Sequence, residues 1–291
     1  MEFPQTLQIP MAKWIDWLMD WLLDNLGFIF DWIGSAGLSF LMAVENFFLW
    51  VPWFVIIAAV GFLAWKVLKS PGRAAGMAAM LMIIGSFGLW ELAMMTLAIV
   101  ITSVIIALAV GIPLGILMAW NKTVENIIRP ILDGMQTLPS FVYLIPALMF
   151  FGLGKVPAAF ATFIYSVPPV IRLTCVGIRG VPESTVEAAK AFGSNKWQIL
   201  FDVQLPLARP SIMVGINQTT MMALAMVVIG SMIGARGLGM EVLLAINRIE
   251  VGRGFEAGLC IVILAIVIDR ITSALAVDKR QTDKSSDEDA V

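Results

Sequence analysis

Residues 92–121 read LAMMTLAIVITSVIIALAVGIPLGILMAWN, thirty consecutive letters without a charged side chain, bounded by Glu91 and Lys122. Wound as an α-helix the stretch would be about 45 Å long, against a hydrocarbon core of about 30 Å. A helix in a soluble core needs no such run. The segment is expected to cross a membrane and to tilt, bend at Pro113 or protrude. Working outward, further uncharged runs occupy 46–65, 74–90, 134–154, 156–171 and 210–235. A seventh span is expected at 255–277, with Asp269 and Arg270 placed near one end, where a long basic side chain reaches the headgroups. The expected fold is all-α, a polytopic transmembrane bundle of about seven spans.

Composition agrees. Of 291 residues, 59% are hydrophobic and 14% charged, where a soluble domain carries about 25% charge; mean hydropathy is +0.90. A soluble enzyme is excluded. The formal charge of −2 leaves no basic surplus for nucleic-acid phosphates. There is no histidine, and Cys175 and Cys260 stand singly in apolar text, so no metal site or disulfide framework is read. The opening MEFPQTLQIP lacks a charged region followed by an apolar one, so no cleaved signal peptide is expected.

Basic residues set the orientation. With 66–73 in the cytoplasm, alternation puts Lys66, Lys69, Arg73, Lys122, Arg129, Arg172, Arg179, Lys190, Lys196, Arg209, Lys279, Arg280 and Lys284 inside, and only Lys13, Lys155, Arg236, Arg248 and Arg253 outside. The positive-inside rule then places the amino terminus outside and the carboxyl terminus in the cytoplasm. Trp50, Trp53, Trp65, Trp90 and Trp120 fall near span ends, as an aromatic belt would. Residues 1–49 form a separate external or interfacial segment. Within it, Asp16, Asp20 and Asp24 recur every four residues on one helical face, with Trp14, Trp17, Trp21, Leu18 and Leu22 covering the rest, so 11–34 reads as an amphipathic interfacial helix. It serves either as a surface or scaffolding element or as a hydrophobic helix packed on the bundle. Glu45 argues against a full crossing by 34–49. The membrane domain is expected at 50–277, followed by a polar cytoplasmic tail at 278–291.

The long inside connection, residues 179–209, contains VPESTVEAAKAFGSNKWQILFDVQLPLARPS from Val181 to Ser211. Ser184 with Glu187 fits a capping box, Ala188, Ala189 and Ala191 favour helix, and Gly193 is expected to end it. Trp197, Leu200 and Phe201 then give a second amphipathic stretch expected to stop at Pro206. Two short helices around a glycine turn make a knob suited to a groove on another protein.

These residues resemble a known family. Glu187-Ala188-Ala189, then Gly193, Val203 and Leu205-Pro206 meet every spacing of the signature of ATP-binding-cassette importer permeases. The resemblance implies a type I importer permease-like fold whose loop is a coupling helix seated in an ATPase subunit. Across about residues 86–272, the stretches Pro130–Gly154, Tyr165–Pro182, Gly215–Gly239 and Phe255–Thr272 are similar to permeases of glycine betaine, proline and choline importers. That implies uptake of osmoprotectants, two permease copies as a homodimer, two cassette ATPases holding ATP and Mg, and a separate extracytoplasmic substrate-binding protein. The chain has no GxxxxGK[ST] loop, so nucleotide must be bound by a partner. It is read as a transport subunit and not an enzyme, with no cofactor of its own.

Polar residues at membrane depth are the candidates for the path. Asn217 and Gln218 either line it or bond between helices; Tyr143 and Tyr165 either line it or pack with a satisfied hydroxyl. Pro168 and Pro169 mark a candidate bend. Asp133 is expected to pair with Arg129 one turn earlier, and Asp269 with Arg270. Gly111-x-x-x-Gly115 and Gly230-x-x-x-Gly234 allow close helix approach, within one chain or at a dimer contact. Gly237-Leu238-Gly239 is expected to turn the chain at the external surface. An importer for another small amine or amino acid is the alternative reading. An ion-coupled carrier would need mid-span carboxylates, which are not found, and a purely structural anchor would not need the full loop signature.

Overall fold

A computed structural model describes residues 10–276, and all of its regular elements are helices. Helix α1 (Met11–Trp50) is followed by α2 (Trp53–Leu68), α3 (Pro71–Ser86), α4 (Trp90–Trp120), α5 (Lys122–Thr137), α6 (Leu144–Phe151), α7 (Lys155–Arg179), α8 (Glu183–Ala191), α9 (Lys196–Gln198), α10 (Leu205–Gly230), α11 (Leu238–Arg248) and α12 (Val251–Ala276). The tail at 278–291 lies outside the described residues.

By length and composition, five helices can cross a membrane, or six when the bent pair α5 and α6 counts as one span. Six uncharged runs and a seventh span led to a larger count because α2 and α3 have 16 residues each, about 24 Å, short of a bilayer core. The run at 46–65 is divided between two helices. Pro52 forces Val51 into extended backbone, so α1 takes 46–50 and α2 begins afresh. The run at 134–154 is broken too. Leu138 is extended before Pro139, a 3₁₀ turn follows at Ser140–Tyr143, and the limbs on either side meet at 111°.

The amphipathic helix expected at 11–34 continues without a break to Trp50, and only Leu41 and Glu45 along it are buried. Glu45 is held by Lys155 at 2.6 Å, which supplies the charge partner that burial demands.

The core is built on α7, packed between α4 and α10. Glycine makes this closeness possible. A Cβ on Gly111 would come within 2.5 Å of Val170, and one on Gly115 within 2.7 Å of the Ile171 carbonyl oxygen. From the other side, a Cβ on Gly215 would sit 3.0 Å from that of Leu173. Both glycines of the first pair therefore serve packing inside the chain. In the second pair Gly230 packs on Ala158, whereas Gly234 has left the helix at φ +91. Ser103 donates to the Ala159 carbonyl at 3.0 Å, and the Leu238 N–H donates to Thr96 Oγ1 at 2.8 Å. The start of α11 is thereby pinned to α4, and Gly237-Leu238-Gly239, expected as a turn at the external surface, is instead buried, with Leu238 and Gly239 already helical because the Thr96 hydroxyl holds the Leu238 N–H.

Candidate coupling loop and translocation pathway

Helix α8 begins at Glu183 directly after Pro182 and has no side-chain cap. Ser184 lies inside the first turn, so the expected capping box at 184–187 is absent: Pro182 already sets the helix start, two residues early. The box is instead at Asn195. Its Oδ1 accepts from the Trp197 and Gln198 N–H groups, both at 2.9 Å, while Gln198 Oε1 accepts from the Asn195 N–H at 2.8 Å. Asn-x-x-Gln was a readable signal of this kind. Gly193 ends α8 as expected, at φ +82, with its N–H on the Lys190 carbonyl and that of Ser194 on the Ala189 carbonyl.

Pro206 does not end the second helix. A π-helical segment, Ile199–Gln204, runs straight into α10, and Pro206 falls in the first turn of that helix, where a missing N–H breaks little. Ile199 and Leu200 are buried, and Leu200 clusters with Ile178, Ala208 and Ile212. Val203 and Leu205 are half-buried, Ala189 likewise, and Glu187, Ala188, Gly193 and Pro206 are exposed. The signature thus separates into aliphatic positions that anchor the loop and positions on its free surface.

That surface is apolar. Phe192 is 92% exposed, Trp197 61% and Phe201 59%. Trp197 stacks on Phe201 with ring centroids 6.1 Å apart and meets Trp120 of α4 edge-on at 5.4 Å. Behind the loop, Arg179 at the end of α7 donates to the Met118 and Ala119 carbonyls at 2.7 and 3.2 Å and pairs with Glu125. A cation at the carboxyl end of α4 suits that helix's dipole. Three helices are locked together where the loop departs.

The pathway candidates divide. Asn217 donates to Asp269 Oδ1 at 2.8 Å and accepts from Thr272 Oγ1 at 2.6 Å, so its amide bonds α10 to α12. Gln218 beside it is exposed. The expected Asp269–Arg270 pair gives way to this network, because Asn217 faces Asp269 across the helix interface. Asp133 likewise pairs with Arg172 of α7 at 2.5 Å, while Arg129 is 3.7 Å from Glu125; side chains on a neighbouring helix reach further than spacing along α5 reveals. Tyr143 is buried, donates its hydroxyl to the Met135 carbonyl and packs edge-on to Tyr165 with centroids 5.9 Å apart. Pro168 and Pro169 are buried within α7, which continues through both as a helix.

This arrangement of spans, broken α5–α6 and intervening α8–α9 loop is the fold of an importer permease. Residues 111–281 match the family model described as binding-protein-dependent transport system inner membrane component, and the chain belongs to that family. It is 44% identical over 273 residues to the glycine betaine transport system permease protein OpuAB of Bacillus subtilis, covering 94% of this chain and 96% of that one. It is 46% identical to the glycine betaine/carnitine transport permease protein GbuB of Listeria monocytogenes, covering 93% and 97%. Among solved structures, an inward-facing MetNI methionine ABC transporter matches with a TM-score of 0.58 at 21% identity, covering 62% of this chain and 91% of that chain.

Proposed function

We propose that this chain is the membrane-crossing subunit of an ATP-driven importer for glycine betaine and related quaternary amines. The observation that carries the reading is the exposed aromatic loop, rigidly joined to α10 and bearing the complete Glu187 to Pro206 signature. Relatives named for glycine betaine at 44% and 46% identity over nearly the whole chain support the solute class. In this reading Glu187, Ala188, Ala189 and Gly193 present the loop to a cassette ATPase that holds ATP and Mg, and Val203, Leu205 and Pro206 seat it on α10. Two copies of the chain pair, and a separate extracytoplasmic protein delivers solute. The chain catalyses no covalent step.

The excess of basic residues on the side of the loop supports a cytoplasmic carboxyl terminus. An external amino terminus is supported by the course of α1. Phe30 stacks on Phe150 at 4.1 Å, Gly34 lies against Phe151, and Glu45 reaches Lys155. Fifteen residues of α1, about 22 Å, thus pass over one six-residue corner, as a helix lying across the outer end of the bundle would. Residues 1–49 then act as an outer segment, 50–277 as the permease domain, 179–209 as the coupling loop and 278–291 as the tail. Reconstitution with the ATPase and the binding protein in liposomes tests the reading: glycine betaine should accumulate only with ATP inside. Accumulation by the chain alone, without nucleotide, would overturn it.

A further inference from the structure

Four side chains outside the coupling loop close a circuit at the break between α5 and α6. Tyr143 Oη donates to the Met135 carbonyl, and its ring meets that of Tyr165. Tyr165 and Arg172 are seven residues apart on α7, two turns and one face. Arg172 Nη2 returns to Asp133 at 2.5 Å, and Asp133 precedes Met135 by two residues on α5. Between Met135 and Tyr143 the chain passes through the non-helical residues Leu138 and Pro139. Irregular backbone at membrane depth is sustained only beside protein or a water-filled path.

Within this circuit Arg172 carries an unmet demand. It lies seven residues from the loop end of α7, about 10 Å in from that end, with 31% of its side chain exposed. Its Nη2 is engaged by Asp133, but its Nε is buried with no hydrogen-bond partner. Carboxylates frequently take guanidinium two-pronged, and here the second donor of that edge is left open. Asp133 is 57% exposed and can release the guanidinium into water at little cost. Two turns nearer the amino end of α7 is Tyr165, in contact with Tyr143, the other of the chain's two tyrosines, and an aromatic face attracts a quaternary ammonium within about 6 Å of its centre. Because side chains on α7 lean toward its amino end, the Arg172 head rises toward Tyr165.

We propose that Arg172, Asp133, Tyr143 and Tyr165 form a transient subsite for a zwitterion, taking its carboxylate on the Arg172 Nε edge and its quaternary ammonium against the tyrosines. This rests on the importer reading and adds where the membrane subunit itself holds the solute. Asp133 occupies the guanidinium when solute is absent and yields to the incoming carboxylate.

The test uses the assembled transporter in liposomes, with labelled glycine betaine as probe. Arg172→Lys keeps a cation for Asp133 but removes Nε, and the double variant Arg172→Gln/Asp133→Asn removes both charges so that neither is left buried alone. Both should still copurify with the ATPase and should take up glycine betaine at least about tenfold more slowly, the scale of a lost hydrogen bond to a charged group. Tyr165→Phe should retain uptake and Tyr165→Leu should lose it. Uptake within twofold of the parent in the double variant, or in Arg172→Lys, would reduce the pair to a structural tie and overturn the subsite while leaving the importer reading intact. A parent complex that moves no quaternary amine would overturn both.

Discussion

Gly115 is a residue at which the packing of the bundle is unforgiving, because an added Cβ meets the Thr174 Cβ at 2.6 Å and the backbone oxygen of Ile171 at 2.7 Å, neither of which can turn away. Gly115→Leu should lower stability by about 2 kcal/mol or more through overpacking, read as a fall in the thermal unfolding midpoint of the detergent-purified protein. Gly27→Ala, with open space around its Cβ, should leave that midpoint unchanged or slightly raised. At Glu45, buried against Lys155, Glu45→Gln should cost about 3 kcal/mol by stranding the lysine, and Glu45→Gln with Lys155→Met should recover much of the loss in the same assay. Spacing alone pointed to Gly111 and Gly115 as close-approach residues. The partners of Asp133, Asp269 and Glu45 were not legible, because each lies on another helix, 39, 52 and 110 residues away.

Proline shows where reading elements from sequence succeeds and fails. Pro139 breaks a span, Pro206 opens a helix, and Pro113, Pro168 and Pro169 sit inside helices. The letter states that an N–H is missing; whether the helix survives depends on what neighbouring helices offer the freed carbonyl, which lies outside the local text. Glycine at a helix end is easier to read because its demand is local. Nothing lies within 4 Å of a Cβ on Gly193, so Gly193→Ala meets only the backbone cost of φ +82, about 1 kcal/mol. The loop should then fray, and solute moved per ATP hydrolysed should fall while the complex still assembles. Asn195→Ala, which removes the side-chain acceptor of the capping box and leaves only the Asn195 N–H bond to Gln198, should produce the same loss of coupling with a similar cost.

For the whole molecule, the apolar runs made the membrane class readable, and the signature made the family readable. The number of crossings was not, since α1 is continuous and α2 and α3 are short. The uncovered rings of Phe192, Trp197 and Phe201 are the anchor expected at an interface with the ATPase, where a few aromatic residues dominate affinity. Phe192→Ser with Trp197→Ala should weaken capture of the ATPase about tenfold or more, measured by titrating one against the other in detergent.

From Lys196 to Ile233 the chain forms one unjointed rod of 38 residues, about 57 Å from end to end. A tiller and rudder cut from a single plank behave this way. The helix is continuous through the π-helical turn at Ile199–Gln204, so displacement at the Trp197 end is expected to carry to the far end, and a Gly-Gly pair spliced in after Gln204 should leave the tiller moving and the rudder still.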